Sequence, residues 1–287
     1  MLASHLSRPA PPALINADDF GLEPDVNRAI ARAFGARLIS TCSIMATGSA
    51  FEEACRAAHE GGFADRVGLH FVLDAGRPLT EAMRRERRFC SADGSFLPRR
   101  KGAWIRITGA ETRAVRAELR AQLDRCRAAG LRPRHLDSHH HVHEELGILG
   151  AILPVMREEG IRRLRVLQNL VRARTVARRI YTKAVNGYLE FRGLAGWNRF
   201  GAADAVVSAN LGPDDRVEVM VHPAIGANGV LVDLPGGVPL ADVLAPVRSM
   251  CQAAAWEAAS KVGLALQTAD PPAGRPAAGK IACPTQH

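Results

Sequence analysis

The chain has 287 residues, of which 47% are hydrophobic and 23% charged, so it can bury a sizeable core as one large α/β domain or two small ones. The formal net charge of +9 invites a nucleic-acid interpretation, but only 5% of the residues are aromatic and base-stacking platforms are scarce. We therefore expect no nucleic-acid partner, whereas contact with an anionic membrane surface or an acidic substrate stays open.

Cysteine usage and the termini point to the compartment. The six cysteines are scattered and form no CxxC pair, which argues against a disulfide framework or a zinc ribbon. Residues 1–12 contain three prolines and no continuous apolar segment, so no secretory signal is expected. Since no apolar run reaches the ~18 residues of a membrane span, we predict a cytoplasmic protein with a flexible N-terminus over residues 1–12.

Short apolar strands alternate with helical stretches along most of the chain. Strands are predicted over residues 13–17, 38–45, 66–69, 135–136, 164–166, 217–221 and 262–266. Helices are predicted over residues 24–34, 51–60, 111–129 and 146–159. This alternation predicts a parallel sheet with helical crossovers.

Three segments depart from this alternation. Residues 75–109 are a polar excursion rich in arginine and glycine. Residues 168–203 fit no clear pattern, and we interpret them as an insertion or lid. Residues 269–287 are rich in proline, glycine and alanine, which predicts a disordered tail.

Side chains able to do chemistry lie just past four of the predicted strands. They are Asp18 and Asp19, then His70, then the group from Asp137 to His143, and finally His222. In parallel α/β folds the carboxyl ends of the strands meet at one edge, where active sites collect. The agreement of four separate strand ends predicts one shared site.

Four histidines lie within five positions, at His139, His140, His141 and His143. Neutral imidazole is the commonest side-chain metal ligand, and an extended segment would project the first, third and fourth of these rings to one side. The cluster therefore predicts a metal site. Not every ring can bind the same ion, because a catalytic site usually keeps about three protein ligands and a place for water.

The Asp18–Asp19 pair admits two interpretations. It could form a turn that leads into the first helix. Alternatively, one carboxylate binds a metal and the other takes a proton from the activated water. Two like charges this close are expected to raise one pKa toward a value useful for a general base. His70 alone could equally be a structural residue, and it gains weight from the other strand ends.

Three blocks of sequence together resemble the YdjC-like carbohydrate deacetylases, which include deacetylases of chitooligosaccharides and of hopanoid-linked amino sugars. The blocks are residues 15–22, 68–73 together with 76–79, and 135–143, with a weaker fourth block at 221–224. They follow the family order. The resemblance implies a deformed, TIM-like (β/α) barrel with a parallel strand core, which we place over residues 13–268, and a homodimer.

The resemblance also implies an activity and a set of roles. The expected reaction is the hydrolysis of an N-acetyl group on an amino sugar, with one divalent metal ion, magnesium or zinc. The implied metal ligands are Asp19, His70 and His139. Asp18 would be the general base and His222 the acid for the leaving amine. Asp137, His141 and His143 would contact substrate or support the ligands.

Two other functions stay open at the level of sequence. A metal-dependent phosphoesterase of barrel type also uses histidines and carboxylates, but a two-metal centre normally needs more carboxylates than these strand ends offer. A non-catalytic metal-binding protein is the other alternative. The intact Asp18–Asp19 pair argues against it, since a metal store needs no spare base.

Overall fold

Strands and helices alternate in a computed structural model that describes residues 12–98, 102–170, 175–234 and 236–253. The strands are β1 (Pro12–Phe20), β2 (Thr41–Ile44), β3 (Val67–Phe71), β4 (His135–Ser138), β5 (Arg163–Leu164), β6 (Arg199–Ala202), β7 (Val217–Val221), β8 (Pro223–Ile225), β9 (Leu231–Asp233), β10 (Val238–Pro239) and β11 (Gln252–Ala253). The helices are α1 (Pro24–Gly35), α2 (Phe51–Glu60), α3 (Glu81–Arg84), α4 (Gly109–Ala128), α5 (Leu146–Glu158), α6 (Val176–Phe191), α7 (Ala203–Val207) and α8 (Leu240–Met250). The strand expected at 262–266, the tail at 269–287 and residues 1–11 of the expected flexible N-terminus lie outside the described residues.

One parallel sheet holds the molecule together, in the order β5-β4-β3-β2-β1-β7-β6, with β11 also paired to β1. The first strand is the centre of this sheet: Ala17 lies opposite Cys42 of β2 and Val221 of β7. The carboxyl ends of these three strands are therefore level with each other. The predicted parallel sheet with helical crossovers is confirmed, and β8, β9 and β10 form a small antiparallel sheet besides.

The two edges of the parallel sheet curl toward each other. Leu164 of β5 forms a parallel bridge with Ala195, just before β6. Further along, the side chain of Asn169 accepts a hydrogen bond from the backbone N–H of Phe200 at 3.0 Å and donates one to the carbonyl of Asn198 at 2.7 Å. A side-chain amide thus takes the place of regular strand pairing. The result is the deformed, TIM-like barrel that the resemblance implies.

Helix α4 fixes one side of the barrel near the site. It begins with a capping box, in which Thr108 and Glu111 satisfy each other's backbone N–H groups. Its buried Gln122 accepts a hydrogen bond from the N–H of Val72 at 3.1 Å and donates one to the carbonyl of Val72 at 2.9 Å. Because Val72 directly follows β3, this helix locks the strand end that carries His70.

The stretch 168–203 is part of the barrel, so its interpretation as an insertion or lid is wrong for the described residues. β6 pairs with β7 inside the main sheet, and α6 is the helix that precedes it. The sequence signal was weak because α6 has polar, basic and apolar residues on several faces. Among the described residues, none of the helices combines the length and apolarity needed to span a membrane.

Candidate active site

The Asp18–Asp19 pair lies at an irregularity near the end of β1. The pairing register with β2 shifts between Ala17 and Phe20, and Asp19 has a φ of 68°, a left-handed conformation that is uncommon outside glycine. A turn holds this conformation, since the N–H of Leu22 donates to the carbonyl of Asp19 at 3.0 Å. The two carboxylates consequently have different surroundings: Asp18 is buried, whereas the side chain of Asp19 keeps 19% exposure.

Asp18 is bound by Arg165, a residue that the sequence analysis did not single out. The Nη1 and Nη2 atoms of Arg165 each lie 2.7 Å from a different oxygen of Asp18. The same guanidinium lies 2.7 Å from Asp137 and 2.6 Å from Glu218. All four side chains are buried. The positive charge of Arg165 therefore offsets the cost of burying three acidic side chains inside the barrel.

The pKa values of the aspartate pair are both lowered, so the expectation that one would rise is wrong. Burial raises the pKa of Asp18, but the charge and hydrogen bonds of Arg165 outweigh it and hold the pKa well below its usual range. Burial likewise raises the pKa of Asp19, and attraction to His70 lowers it by more. The repulsion between the two aspartates is present but smaller than these attractions.

His70, on β3, is held at both ring nitrogens. Its Nδ1 lies 2.8 Å from Asp137 Oδ1, and its Nε2 lies 3.1 Å from Asp19 Oδ1. Burial lowers the pKa of His70, but the surrounding carboxylates, Asp137 first, raise it well above its ordinary value. These carboxylates favour a positive charge at Nε2, which either a proton or a metal ion can supply.

Two further polar side chains fix the carboxylates around His70. The hydroxyl of Ser43 donates to Asp137 Oδ2 at 2.9 Å. The amide of Asn16 donates to Asp18 Oδ1 at 2.8 Å and lies 3.3 Å from Asp137 Oδ2. Asp18, Asp137 and His70 therefore form one connected, buried network, in which Asp137 contacts Nδ1 of His70.

The histidine cluster is not extended, so its side chains do not alternate with period two. Residues His139–Glu144 form a 3₁₀ helix in which His140 and His141 have positive φ angles of 47° and 57°. The ring of His139 meets that of His70 edge to face, with 5.9 Å between centroids. Asp74, also missed in the sequence, lies 2.9 Å from the Nδ1 atoms of both His139 and His140.

His141 and His143 lie on the other side of the turn. Nδ1 of His141 is buried and has no hydrogen-bond partner among the described residues. Burial lowers the pKa of His141 to about 4, so the ring is neutral at physiological pH. Nδ1 of His143 lies 2.5 Å from the hydroxyl of Ser138, and the side chain is fully buried. Nδ1 of His141 is therefore a buried polar atom that a bound molecule could satisfy.

His222, which directly follows β7, completes the group on the solvent side. Its Nε2 lies 4.0 Å from Asp19 Oδ2, and its side chain is 33% exposed. Its backbone N–H donates to Asp233 of β9 at 2.6 Å, which ties the strand end to the small sheet. Asp19 is thus flanked by His70 inside and His222 outside.

Two groups of described residues bring metal-binding atoms within 4.8 Å of each other: Asp18 with His70 and Asp137, and Asp74 with His139 and His140. The first group already contacts the Arg165 guanidinium, which would repel a second cation. In the second, Asp74 contacts the Nδ1 atoms of both rings, an arrangement typical of an outer carboxylate that orients ligand histidines.

The expected ligands Asp19, His70 and His139 do not form one of these groups, although Asp19 Oδ1 and His70 Nε2 lie 3.1 Å apart. Asp19 Oδ1 is buried and lacks a hydrogen bond with good geometry among the described residues. His70 presents Nε2 to it, and Asp137 holds the opposite nitrogen of that ring. His139 has its Nδ1 fixed by Asp74, which leaves Nε2 as its ligand atom. One carboxylate and two oriented imidazoles form a donor set that fits a divalent transition metal.

A family model described as YdjC-like protein matches residues 13–259. This chain belongs to the YdjC-like family. A carbohydrate deacetylase of Geobacillus stearothermophilus is 39% identical over 139 residues, which cover 48% of this chain and 53% of that protein. A chitooligosaccharide deacetylase of Escherichia fergusonii is 32% identical over 153 residues, covering 52% of this chain and 56% of that protein. The chain spans about half the length of the curated relatives it matches.

A solved structure resembles the YdjC-like fold of this chain over most of its length. It is a protein of Enterococcus faecalis named for cellobiose-phosphate cleavage, with a TM-score of 0.65 and 20% identity. The match covers 86% of this chain and 98% of that one. At this level of identity the likeness concerns the fold alone.

In this YdjC-like chain the residues missed by the sequence analysis had only faint signals. Arg165 interrupts the apolar run Leu164–Val166, and a charged residue inside a short strand of a parallel sheet must be paired if it is buried. Asp74 lies four residues after His70, just past the end of β3. Both could have been found by extending the strand-end rule to every charged residue near a strand.

Proposed function

We propose that this protein is a metal-dependent hydrolase that removes the acetyl group from an N-acetylated amino sugar, either an oligosaccharide or a lipid-linked glycoside. The observation that carries the proposal is the buried Asp19 Oδ1, 3.1 Å from His70 Nε2, next to a second carboxylate that Arg165 keeps ionised. The names of the similar proteins, carbohydrate and chitooligosaccharide deacetylase, support this reaction class.

In this proposal Asp19, His70 and His139 hold one divalent ion, zinc or magnesium. The bound ion would supply Lewis acidity, polarising the amide carbonyl and making water a better nucleophile. Asp137 and Asp74 position the two imidazoles through their Nδ1 atoms. Metal affinity is then a property of five residues at the ends of β1, β3 and β4.

Asp18 is the proposed general base. Arg165 holds the pKa of Asp18 well below its usual range, so its carboxylate is ionised at neutral pH. Oδ1 is taken by Asn16 and Arg165, whereas among the described residues Oδ2 accepts a hydrogen bond from Arg165 alone. A carboxylate oxygen has two lone pairs, so Oδ2 can still receive the proton of an attacking water.

His222 is the proposed acid. Collapse of the tetrahedral adduct requires a proton on the amide nitrogen, since an amine anion cannot leave. The ring of His222 lies on the solvent side of Asp19 and is one-third exposed, so it can take up a proton from water and deliver it to the leaving nitrogen. His141 and His143 are proposed to contact the sugar or to support the ligand turn, and the unsatisfied Nδ1 of His141 favours the first role for that residue.

We further propose that the protein acts in the cytoplasm as a homodimer and does not bind nucleic acid. Sedimentation velocity on the purified chain tests the dimer directly. A single boundary at the mass of a monomer over a wide concentration range would contradict it.

Acetate release from a panel of N-acetylglucosamine conjugates tests the activity. The panel contains free chitobiose, a lipid-linked sugar and a polymer, each incubated with metal-stripped protein and with added zinc or magnesium. We expect acetate only when metal is present. Phosphate release from a phosphoester panel, without acetate from any sugar, would replace this proposal with the phosphoesterase alternative.

A further inference from the structure

Helix α6 has two apolar faces. Its inner face, with Val185 and Leu189, is buried against the barrel. Its outer face carries Val176, Ile180, Tyr188 and Phe191, whose exposures are 67%, 65%, 44% and 87%. At 3.6 residues per turn these four positions fall on one side of the helix, about opposite to the buried face. A surface helix of a globular protein normally has a single apolar stripe, so the outer stripe calls for a partner.

Positive charge flanks the outer stripe. Arg179 and Lys183 lie along one edge of it, and Arg192 directly follows the helix. This polar edge lines an open cavity of about 790 Å³, which lies between α6 and the region where the β5 and β6 edges of the sheet meet. Glu190 is the one acidic residue of α6, and the whole chain carries a formal charge of +9. A surface that covers the stripe therefore meets cations at its rim.

The stripe begins at the edge of the candidate active site. Arg178, in the first turn of α6, forms an ion pair with Glu144, and the hydroxyl of Tyr181 donates to the carbonyl of Glu144 at 2.8 Å. Glu144 directly follows His143. The first turns of α6, which carry Val176 and Ile180, are consequently held against the turn that carries His139–His143.

We propose that the outer face of α6 docks this protein on an anionic phospholipid bilayer. A basic helix that exposes aliphatic and aromatic side chains matches the interface of such a bilayer, where the apolar side chains enter the acyl boundary and the cations remain with the lipid phosphates. Tyrosine is suited to that boundary because its ring is apolar and its hydroxyl is polar. A neutral or basic protein partner would satisfy the stripe but leave the flanking cations without complementary charge.

Vesicle co-sedimentation of the full chain tests this docking surface without any substrate. Wild type is compared on phosphatidylcholine vesicles and on vesicles that also contain phosphatidylglycerol, at low and high salt. We expect binding to the anionic vesicles that weakens with salt, because the phosphate contacts are screened. Ile180→Ser/Phe191→Ser should lower the partition coefficient at least ~10-fold, since two large apolar side chains no longer enter the bilayer. Arg179→Glu/Lys183→Glu should remove the preference for anionic vesicles.

The matched control is Val207→Ser/Val230→Ser, which removes two exposed apolar side chains from other elements. It should bind vesicles like wild type, and circular dichroism should show that all variants are folded. Wild type that stays in the supernatant with anionic vesicles would overturn the proposal. An Ile180→Ser/Phe191→Ser variant that binds the anionic vesicles normally would also overturn it. If that variant bound vesicles normally but lost a dimer in sedimentation velocity, the outer face of α6 would be a contact between two copies of the chain. Because no sugar is present, these outcomes are independent of the proposed deacetylation.

Discussion

Arg165 and Asp18 lie 147 positions apart in the chain and form a two-pronged ion pair, with 2.7 Å between each nitrogen and its carboxylate oxygen. Both side chains are buried; Asp18 lies on β1, and Arg165 directly follows β5. The pair fixes the direction of Asp18 and keeps it ionised. Its neighbour Asp19 contacts no guanidinium among the described residues and lies instead between His70 and His222.

Replacing Arg165 should destabilise the fold. Arg165→Met leaves Asp18, Asp137 and Glu218 buried without their shared cation, and breaking a buried ion pair from one side costs about 3–5 kcal/mol. Arg165→Lys keeps a charge but cannot bind Asp18 with two prongs, so its loss should be smaller. Urea unfolding measures both. Arg163→Met, two residues earlier on β5, is the control, and an equal loss in that control would contradict a special role for Arg165.

Asp137 and Asp74 should matter for metal affinity although neither is a proposed ligand. Asp137→Asn and Asp74→Asn each remove the carboxylate that orients one imidazole, a change that typically lowers metal affinity by roughly 10–100-fold. Titration of zinc into metal-free protein, with a competing chelator, measures the effect. Asp93→Asn changes an exposed aspartate that pairs with Arg77 and contacts none of the candidate ligands, so it should leave the affinity unchanged. If both variants bound zinc as tightly as wild type, Asp137 and Asp74 would have no role in metal binding.

His222 should affect turnover and not metal binding. His222→Gln lacks the proton that the leaving nitrogen needs, and loss of a general acid typically lowers kcat by roughly 10²–10⁴-fold. The metal content of the purified variant should equal that of wild type. His59→Gln, an exposed histidine at the end of α2, is the control. Turnover within about twofold of wild type would rule out His222 as the acid.

Gly68 should be intolerant of a side chain for a packing reason. A Cβ at this position would lie 2.2 Å from Nε2 of His135 on the neighbouring strand. Gly68→Ala should therefore lower the free energy of unfolding by about 1–3 kcal/mol, the usual cost of overpacking, and Gly68→Ala/His135→Ala should recover part of it. The matched control is Gly150→Ala in α5, where nothing lies within 4 Å; there alanine should stabilise the helix. The same sign at both positions would contradict this explanation.

The position of the site could be predicted from the sequence because the rule involved is topological. Asp18, His70, Asp137 and His222 each follow or end an apolar strand, and parallel strands present those ends at one edge. In α4 the apolar residues Val115, Leu119, Leu123 and Cys126 recur every three or four positions, a helical spacing, and all four are buried. The sequence pattern predicted a helix or strand correctly wherever its apolar residues recur with the period of that element.

The details of the site depended on contacts that no local pattern contains. The turn at His139–Glu144 needs positive φ at two histidines, which the period of an extended strand cannot represent. The lowered pKa of Asp18 depends on Arg165, and the sequence alone gave no reason to pair two residues so far apart. Repulsion between the two carboxylates was expected to raise one pKa. Attraction to Arg165 and to His70 lowers both pKa values instead.

The division of labour between the two aspartates is best tested by comparing Asp18→Asn with Asp19→Asn for metal content and acetate release on the same preparations, after circular dichroism has shown that both are folded. Asp19→Asn should lose bound metal and activity together. Asp18→Asn should retain its metal and lose activity, since it removes the proton acceptor and leaves the ligands in place. If Asp18→Asn lost metal as fully as Asp19→Asn, or if either variant released acetate at the wild-type rate, the proposed roles would be contradicted.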